Sequence, residues 1–296
     1  MLRNVLKGTG VAIVTPFQED YSVDYTGLEK LINYIIDGGI NYIVSLGTTG
    51  ETPVLSEKEK EEIISFTLEV VNNRVPVVVG VGGNNTASLV NKLNQYPLDK
   101  AVAVLSASPY YNKPSQQGII KHYEEVAKAS PAPVILYNVP ARTGRNMAAE
   151  TTLYLANHVK NIAGIKEASG DMGQCMHILR DRPNEFLVVS GDDALAFPQL
   201  ACGMDGVISV AANVYPKTFS TMVNLALHSD NSGAKQKNDS LIEAYRLMFL
   251  ENNPAGAKAF LNEMKIIKNV LRLPNIPVDA KLRVAIEQFV QHEKMG

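Results

Sequence analysis

The sequence predicts an α/β fold, a closed (β/α)₈ TIM barrel with a C-terminal helical extension. Three observations carry this. Eight apolar, β-branched runs alternate with helix-period segments along most of the 296 residues. The runs are apolar throughout, as strands are when helices cover both faces of a parallel sheet. Beyond about residue 215 the runs stop and only helix-period segments remain. Eight β/α units suit a barrel of about 250 residues. A doubly wound open sheet is the competing arrangement, but no GxGxxG follows the first run as a dinucleotide fold would want.

The runs, in order, are VAIVTPF (11–17), YIVSLGTT (42–49), PVVVGVG (76–82), AVAVLSAS (101–108), PVILYNV (133–139), IAGIKEAS (162–169), FLVVSGD (186–192) and GVISV (206–210). They recur every 20 to 35 residues. Amphipathic stretches lie between them, such as residues 25–39 and 56–73. The latter opens with Ser56 and, three residues on, Glu59, a capping box. LIEAYRLMFL, AGAKAFLNEMKIIKNVL and DAKLRVAIEQFVQ then read as helices, too many for the last barrel unit alone. The expected division is a barrel over 1–225 and a helical domain over 226–296.

Composition narrows the function. A net charge of −2 argues against nucleic acid or an anionic membrane as the main partner. No apolar run approaches the roughly 20 residues that span a bilayer. The first ten residues, MLRNVLKGTG, lack the apolar core of a signal peptide. Cys175 and Cys202 form no CxxC pair. A cytoplasmic location with free thiols is expected.

Barrel active sites sit at the C-terminal strand ends, and unusual polar residues collect there. The second run ends in GTTGE (47–51), the fourth in SPYYN (108–112), the fifth in YNVP (137–140) with Arg142 beyond, and the seventh in SGDD (190–193). The sixth, within GIKEASG (164–170), carries Lys166 in an apolar setting, where lysine is rarely buried. Desolvation favours the neutral amine, which adds to a ketone or aldehyde to form a Schiff base. The other reading is a lysine that snorkels to the rim and pairs with Glu167 or an aspartate. Tyr137 is either a proton shuttle or a core tyrosine. Thr48 and Thr49, between glycines, either receive a small carboxylate or form an ordinary turn. Arg142, set between Pro140 and Gly144, either grips a carboxylate or lies on the surface. The Tyr110-Tyr111 pair suits simple packing or an interface patch.

The five histidines, His122, His158, His177, His228 and His292, fall on expected helices or their ends, none at a strand end. Asp192 and Asp193 lack His or Cys at ligand spacing, so helix N-capping is expected rather than a metal. Two carboxylates after the seventh run would also repel a phosphate where many barrels bind one. The residues point to a metal-free, Schiff-base-forming barrel for a small, unphosphorylated keto acid.

Taken in order, GTTGE (47–51), SPYYNKPSQ (108–116), YNVPARTG (137–144), GIKEASG (164–170) and SGDDA (190–194) resemble the 4-hydroxy-tetrahydrodipicolinate synthase family, long called dihydrodipicolinate synthases. The likeness spans essentially the whole chain. It implies a barrel enzyme without cofactor that condenses pyruvate with L-aspartate 4-semialdehyde in lysine and diaminopimelate biosynthesis. It implies a homotetramer, a dimer of tight dimers. Lys166 matches the Schiff-base lysine and Tyr137 the general acid/base. Thr48 and Tyr111 match the rest of a proton relay, the tyrosine reaching across the tight dimer. Thr49 and the backbone of Ile208 match pyruvate-binding positions, Arg142 the arginine for the semialdehyde carboxylate, and Gly191 a glycine beside that substrate. N-acetylneuraminate lyase and 2-keto-3-deoxy sugar acid aldolases share the lysine and tyrosine. In them the position of Arg142 is usually not arginine and the lysine is usually not followed by Glu-Ala-Ser-Gly. A non-catalytic keto-acid sensor on this barrel would be expected to lose Lys166 or Tyr137, and both are present. A metal-dependent aldolase lacks its ligand set.

Many members of the family are inhibited by L-lysine in a cleft at the tight-dimer interface. In lysine-sensitive members of the enterobacterial and plant type, a histidine and a glutamate occupy the positions of Lys60 and Ser88. Asn84 and Tyr110 agree with the sensitive pattern, and Glu57 stands at a histidine position. The resemblance therefore implies weak or absent feedback inhibition here.

Overall fold

In a computed structural model that describes residues 1–295, eight parallel strands close in chain order, with β8 pairing back onto β1. The strands are β1 (Gly8–Ala12), β2 (Tyr42–Ser45), β3 (Val77–Gly80), β4 (Ala103–Ala107), β5 (Val134–Asn138), β6 (Ile162–Glu167), β7 (Leu187–Ser190) and β8 (Gly206–Ser209). The helices are α1 (Leu2–Val5), α2 (Tyr25–Asp37), α3 (Glu57–Val71), α4 (Thr86–Gln95), α5 (Gln116–Ala129), α6 (Pro140–Thr143), α7 (Ala149–His158), α8 (Met172–Asp181), α9 (Ala196–Ala201), α10 (Pro216–Leu227), α11 (Asn231–Phe249), α12 (Ala255–Glu263) and α13 (Ala280–Met295). The predicted barrel with helices after it is observed. The capping box of Ser56 and Glu59 opens α3.

Each strand sorts its side chains by alternation. Tyr42, Val44, Val78, Leu105, Ile135, Tyr137, Leu187, Val189 and Ile208 fill the barrel interior. Ile43, Val77, Val79, Val104, Val134, Leu136, Ile165, Val188 and Val207 join the larger core between sheet and helices. Leu6, just after α1, belongs to the interior cluster and closes the N-terminal end. At that end Asp205 accepts from Arg3 Nε at 2.9 Å, from the Val188 amide at 2.9 Å, and from Arg182.

Two expectations need correction. The first run, 11–17, lies mostly beyond its strand, since β1 begins at Gly8. A Cβ on Gly10 would stand 2.2 Å from the Tyr42 ring, which lies across the barrel interior. The glycines that look like breakers are therefore strand residues that make room for a neighbour. The helix read into 255–271 ends at Glu263. Lys265 takes φ +61°, and the Ile266 amide bonds back to Leu261 O at 2.9 Å, a six-residue closure of the Schellman type. Nothing in the apolar order of MKIIKNVL announces that stop. Residues 264–279 instead run as an irregular strap over the barrel's edge. Further along, α11 packs on α9 and α10, and α12 on the turn Ala211–Asn213 after β8. Cys175 is buried and Cys202 exposed, and neither is in a disulfide. No helix among the described residues is long and apolar enough to cross a membrane.

His122, on α5, is buried, with Nδ1 2.9 Å from Thr86 Oγ1 on α4 and Nε2 without a partner among the described residues. Burial pushes its pKa down to about 4. A depressed pKa means the unfolded chain takes up the proton first as pH falls, so stability present above about 6.5 is lost toward pH 4. At about 1.4 kcal/mol per pH unit, that interval amounts to about 3 kcal/mol. Urea unfolding at pH 7 and pH 4.5 tests this: His122→Gln is expected to lose less stability between the two than the unsubstituted protein, and equal losses would refute the assignment.

Candidate active site

Tyr137 and Lys166 are register partners on β5 and β6. Both face the interior near the C-terminal end, and Lys166 Nζ stands 4.4 Å from the centroid of the Tyr137 ring. Lys166 is buried at 5% exposure, and its ammonium makes no hydrogen bond or ion pair among the described residues. The neighbouring Glu167 leaves the strand on the opposite face. Its carboxylate accepts from Asn138 Nδ2 at 3.0 Å, the Ser169 amide at 2.6 Å and Gln174 Nε2 at 3.0 Å. The reading in which Lys166 pairs with Glu167 therefore fails: alternation puts the two on opposite sides of the barrel wall.

Gly191, just past β7, makes the room. A Cβ there would stand 2.8 Å from Lys166 Cε and 2.7 Å from Ala168 Cβ. A side chain there would collide with both the lysine stem and Ala168. Ile208 of β8 is buried in the same interior cluster as Tyr137.

The GTTGE segment forms a 3₁₀ turn, Thr48–Gly50, at the end of β2. Thr48 is exposed, while Thr49 is buried and its Oγ1 accepts from Asn253 Nδ2 at 3.0 Å. The turn is tied further: Thr15 Oγ1 donates to Gly50 O at 2.7 Å, and Thr52 Oγ1 donates to Gly47 O at 2.8 Å. Glu51 takes a left-handed φ of +54°. Its buried carboxylate pairs with Lys258 of α12 and accepts the Arg272 amide at 3.3 Å. Burial pushes the Lys258 ammonium down to about 8, against the pull of Glu51. Glu51, Asn253 and Lys258 were absent from the sequence-level site. A lone lysine inside apolar AGAKAFL is the same signal that marks Lys166, and could have found Lys258.

The remaining candidates sit on rim loops. Tyr111 follows β4 with φ +71° and is 87% exposed. Its loop is held by Asn84, whose Nδ2 donates to Tyr110 O at 3.2 Å and whose carbonyl accepts from Asn112 Nδ2 at 3.0 Å. Arg142, in the single turn α6, is exposed, and its guanidinium has no hydrogen-bond partner among the described residues. The structure thus brings Lys166 against both Tyr137 and Gly191, puts Ile208 in the interior cluster with Tyr137, buries Thr49 in the turn after β2, and leaves Thr48, Tyr111 and Arg142 open to solvent.

The two aspartates after β7 do not cap a helix as expected. Asp192 Oδ1 accepts from the Ala194 and Leu195 amides at 3.0 and 3.2 Å, closing the turn before α9, whose N-cap is Leu195. Asp193 is buried, and Oδ2 reaches the Val210 and Ala211 amides beyond β8 at 3.0 and 2.9 Å. Desolvation raises its pKa. A bond across two strand ends is invisible to local spacing.

Comparison with known proteins agrees along the whole chain. A sequence model described as the Dihydrodipicolinate synthetase family matches residues 5–293. The 4-hydroxy-tetrahydrodipicolinate synthase of Parabacteroides distasonis is 51% identical over 272 residues, 92% of each chain. The crystal structure of the dihydrodipicolinate synthase of Acinetobacter baumannii complexed with pyruvate matches with TM-score 0.95 and 37% identity, covering 98% of this chain and 100% of that one. The lysine-bound structure of the enzyme from Cyanidioschyzon merolae matches with TM-score 0.94 and 32% identity, over 99% of both chains. With its barrel, its buried lysine and its motifs in order, the chain belongs to the dihydrodipicolinate synthetase family.

Proposed function

We infer that the chain is a 4-hydroxy-tetrahydrodipicolinate synthase, a lyase of lysine and diaminopimelate biosynthesis that condenses pyruvate with L-aspartate 4-semialdehyde. The observation that carries this is Lys166, buried and without a counter-charge beside Tyr137. The neutral amine adds to the pyruvate carbonyl, and the carbinolamine loses water to give the imine. Tyr137 is the group in reach to give and take the protons of that dehydration. Loss of a methyl proton gives the enamine, whose carbon attacks the semialdehyde's aldehyde. The semialdehyde's own amine then displaces Lys166 from the imine carbon, which closes the ring and frees the enzyme.

The other roles are those that the family resemblance implies, and position supports them. Thr49 and the backbone at Ile208 receive pyruvate. Thr48 extends the proton path from Tyr137, and Tyr111 completes it in a neighbouring subunit. An exposed tyrosine held in a left-handed conformation on a braced loop supports that reading, because such backbone persists where it is used. The working assembly is then a homo-oligomer, a tetramer of two tight dimers. Arg142, exposed and unpaired, receives the semialdehyde carboxylate as a charge-assisted bond, and Gly191 leaves that substrate close to the imine. The barrel is the unit 1–225 and the helical domain 226–296. With no helix fit to span a membrane among the described residues, a cytoplasmic enzyme is the consistent location.

Borohydride reduction with pyruvate tests the central step. The peptide holding Lys166 is expected to gain the mass of reduced pyruvate, and Lys166→Ala to gain none. Arg142→Ala is expected to trap normally while its KM for the semialdehyde rises about tenfold or more, the worth of a charge-assisted bond. Label on another strand's lysine would overturn the assignment.

Subunit sharing has its own test. Lys166→Ala and Tyr111→Phe chains are each expected to be nearly inactive. Mixed and re-equilibrated, they form some hybrid sites carrying both Lys166 and Tyr111, and activity is expected to return. If exchange is verified by mass and activity stays absent, Tyr111 acts within its own chain.

The electrostatics around Glu57 oppose feedback by L-lysine. Glu57 accepts from Lys60 Nζ at 2.8 Å, Lys92 Nζ at 3.0 Å and Tyr96 OH at 2.5 Å. Desolvation raises its pKa, but the bonds from Lys60, Tyr96 and Lys92 win and hold it down at about 2. Its charge is already matched by two ammonium groups of the chain itself, and Ser88 adds none. A missing charge partner weakens binding by about 2–5 kcal/mol. Half-inhibition by L-lysine is expected only above about 1 mM in steady-state assays, a weak-binding regime near −4 kcal/mol.

A further inference from the structure

We propose that Lys258, acting through its ion pair with Glu51, is a positioning residue for the Thr48–Thr49 turn, so that the C-terminal helices set the geometry in which Lys166 engages pyruvate. This rests on the synthase reading above. The pair is fully buried on both sides, at 0% exposure. Lys258 Nζ also donates to Val270 O at 2.9 Å and lies 4.2 Å above the centroid of Phe17, with the Arg272 guanidinium 4.5 Å from the same ring. The charge is thus walled by an aromatic face and two fixed acceptors.

Glu51 is the joint between two 3₁₀ turns, Thr48–Gly50 and Thr52–Val54. Its left-handed φ is costly for a residue with a Cβ, and such backbone persists only where surroundings hold it. Both carboxylate oxygens are held from beyond residue 257, by Lys258 Nζ and by the Arg272 amide. Two residues before Glu51, Thr49 Oγ1 is held by Asn253 from the same segment of chain. Three bonds from the C-terminal region therefore land on residues 49–51, one on Thr49 and two on Glu51 directly after the turn that carries Thr48 and Thr49. An apolar contact could slide; a buried, doubly bonded carboxylate has one arrangement in which neither charge is left bare.

The test separates positioning from plain stability. Borohydride trapping rates at subsaturating pyruvate are measured on folded protein, with Tm and the semialdehyde KM alongside. Lys258→Met leaves Glu51 buried and unpaired, so Tm is expected to fall. The doubly substituted Glu51→Gln, Lys258→Met protein removes both charges at similar volume, and its Tm is expected to recover. In both, the trapping rate is expected to stay down by about tenfold or more, since small misplacement of reacting groups has effects of that size, while the semialdehyde KM stays within about twofold, Arg142 being remote in sequence and untouched. If the double variant traps pyruvate at the unsubstituted rate, the pair serves stability alone and the proposal is overturned. If the unsubstituted protein itself fails to trap pyruvate on Lys166, the synthase reading falls, and this inference with it.

Discussion

Alternation along β6 puts Lys166 inside the barrel and Glu167 outside it, and the chemistry depends on that separation. Two oppositely charged neighbours in sequence would otherwise neutralise each other. Here the carboxylate is satisfied outside the wall by Asn138, Ser169 and Gln174, and the amine lies inside it, 4.4 Å from the centroid of the Tyr137 ring. An imine-forming amine needs a free approach for the carbonyl it attacks, and the separation leaves Lys166 without a carboxylate bonded to it. The same outward network fixes more than Glu167. Asn138 Oδ1 accepts the Met147 amide at 3.0 Å, and its Nδ2 reaches Asn146 at 2.8 Å, so the chain that returns from the Arg142 loop is anchored to the strand bearing Tyr137.

The rim of the barrel is built largely from side chains bonding backbone, because strand pairing ends there and its amides and carbonyls need other partners. Asn213 is the fullest case: Oδ1 accepts the Val14 amide at 3.2 Å, and Nδ2 donates to Ala12 O and Val210 O at 2.9 Å each. With Asp193 on the next amides, this stitches the ends of β8 and β1 together where the barrel closes. A rigid mouth follows, and the exposed Tyr111 and Arg142 project from it on short, braced loops.

The C-terminal helices are more than an appendage to the barrel. The strap after α12 carries Arg272, which binds Glu59 through two nitrogens and also donates to Val54 O at 3.0 Å and Tyr21 O at 2.6 Å. Its bond to Glu59 links the strap to the first turn of α3, which follows the Thr52–Val54 turn after GTTGE. Together with Lys258 and Asn253, this ties one edge of the active site to residues more than 200 positions away.

Much was legible in residue order. Strands buried on both faces are apolar throughout, so eight runs announced eight strands. A lysine in such a run is conspicuous, because burying a charge is costly enough to be rare without a use. Motif order along the chain added the family and its substrates. What order could not reveal depends on contacts between distant segments. Whether Lys166 met Glu167, an aspartate or nothing was open until the pleat assigned each a face. The glycines at 8 and 10 look like a break before the strand, because the side chains that need their space, Asn41 at Gly8 and the Tyr42 ring at Gly10, come from another part of the chain. The end of α12 carries no glycine or proline to mark it; a left-handed Lys265 makes the stop. Asp193 reads as a helix cap, yet its partners are amides beyond the neighbouring β8; Glu51 reads as part of a local motif, yet it is held by Lys258 of α12 and by Arg272 of the strap. Side-chain period is a local property and survives in the linear text; burial of a particular charge, and the partner that makes it tolerable, exist only once the chain has closed on itself.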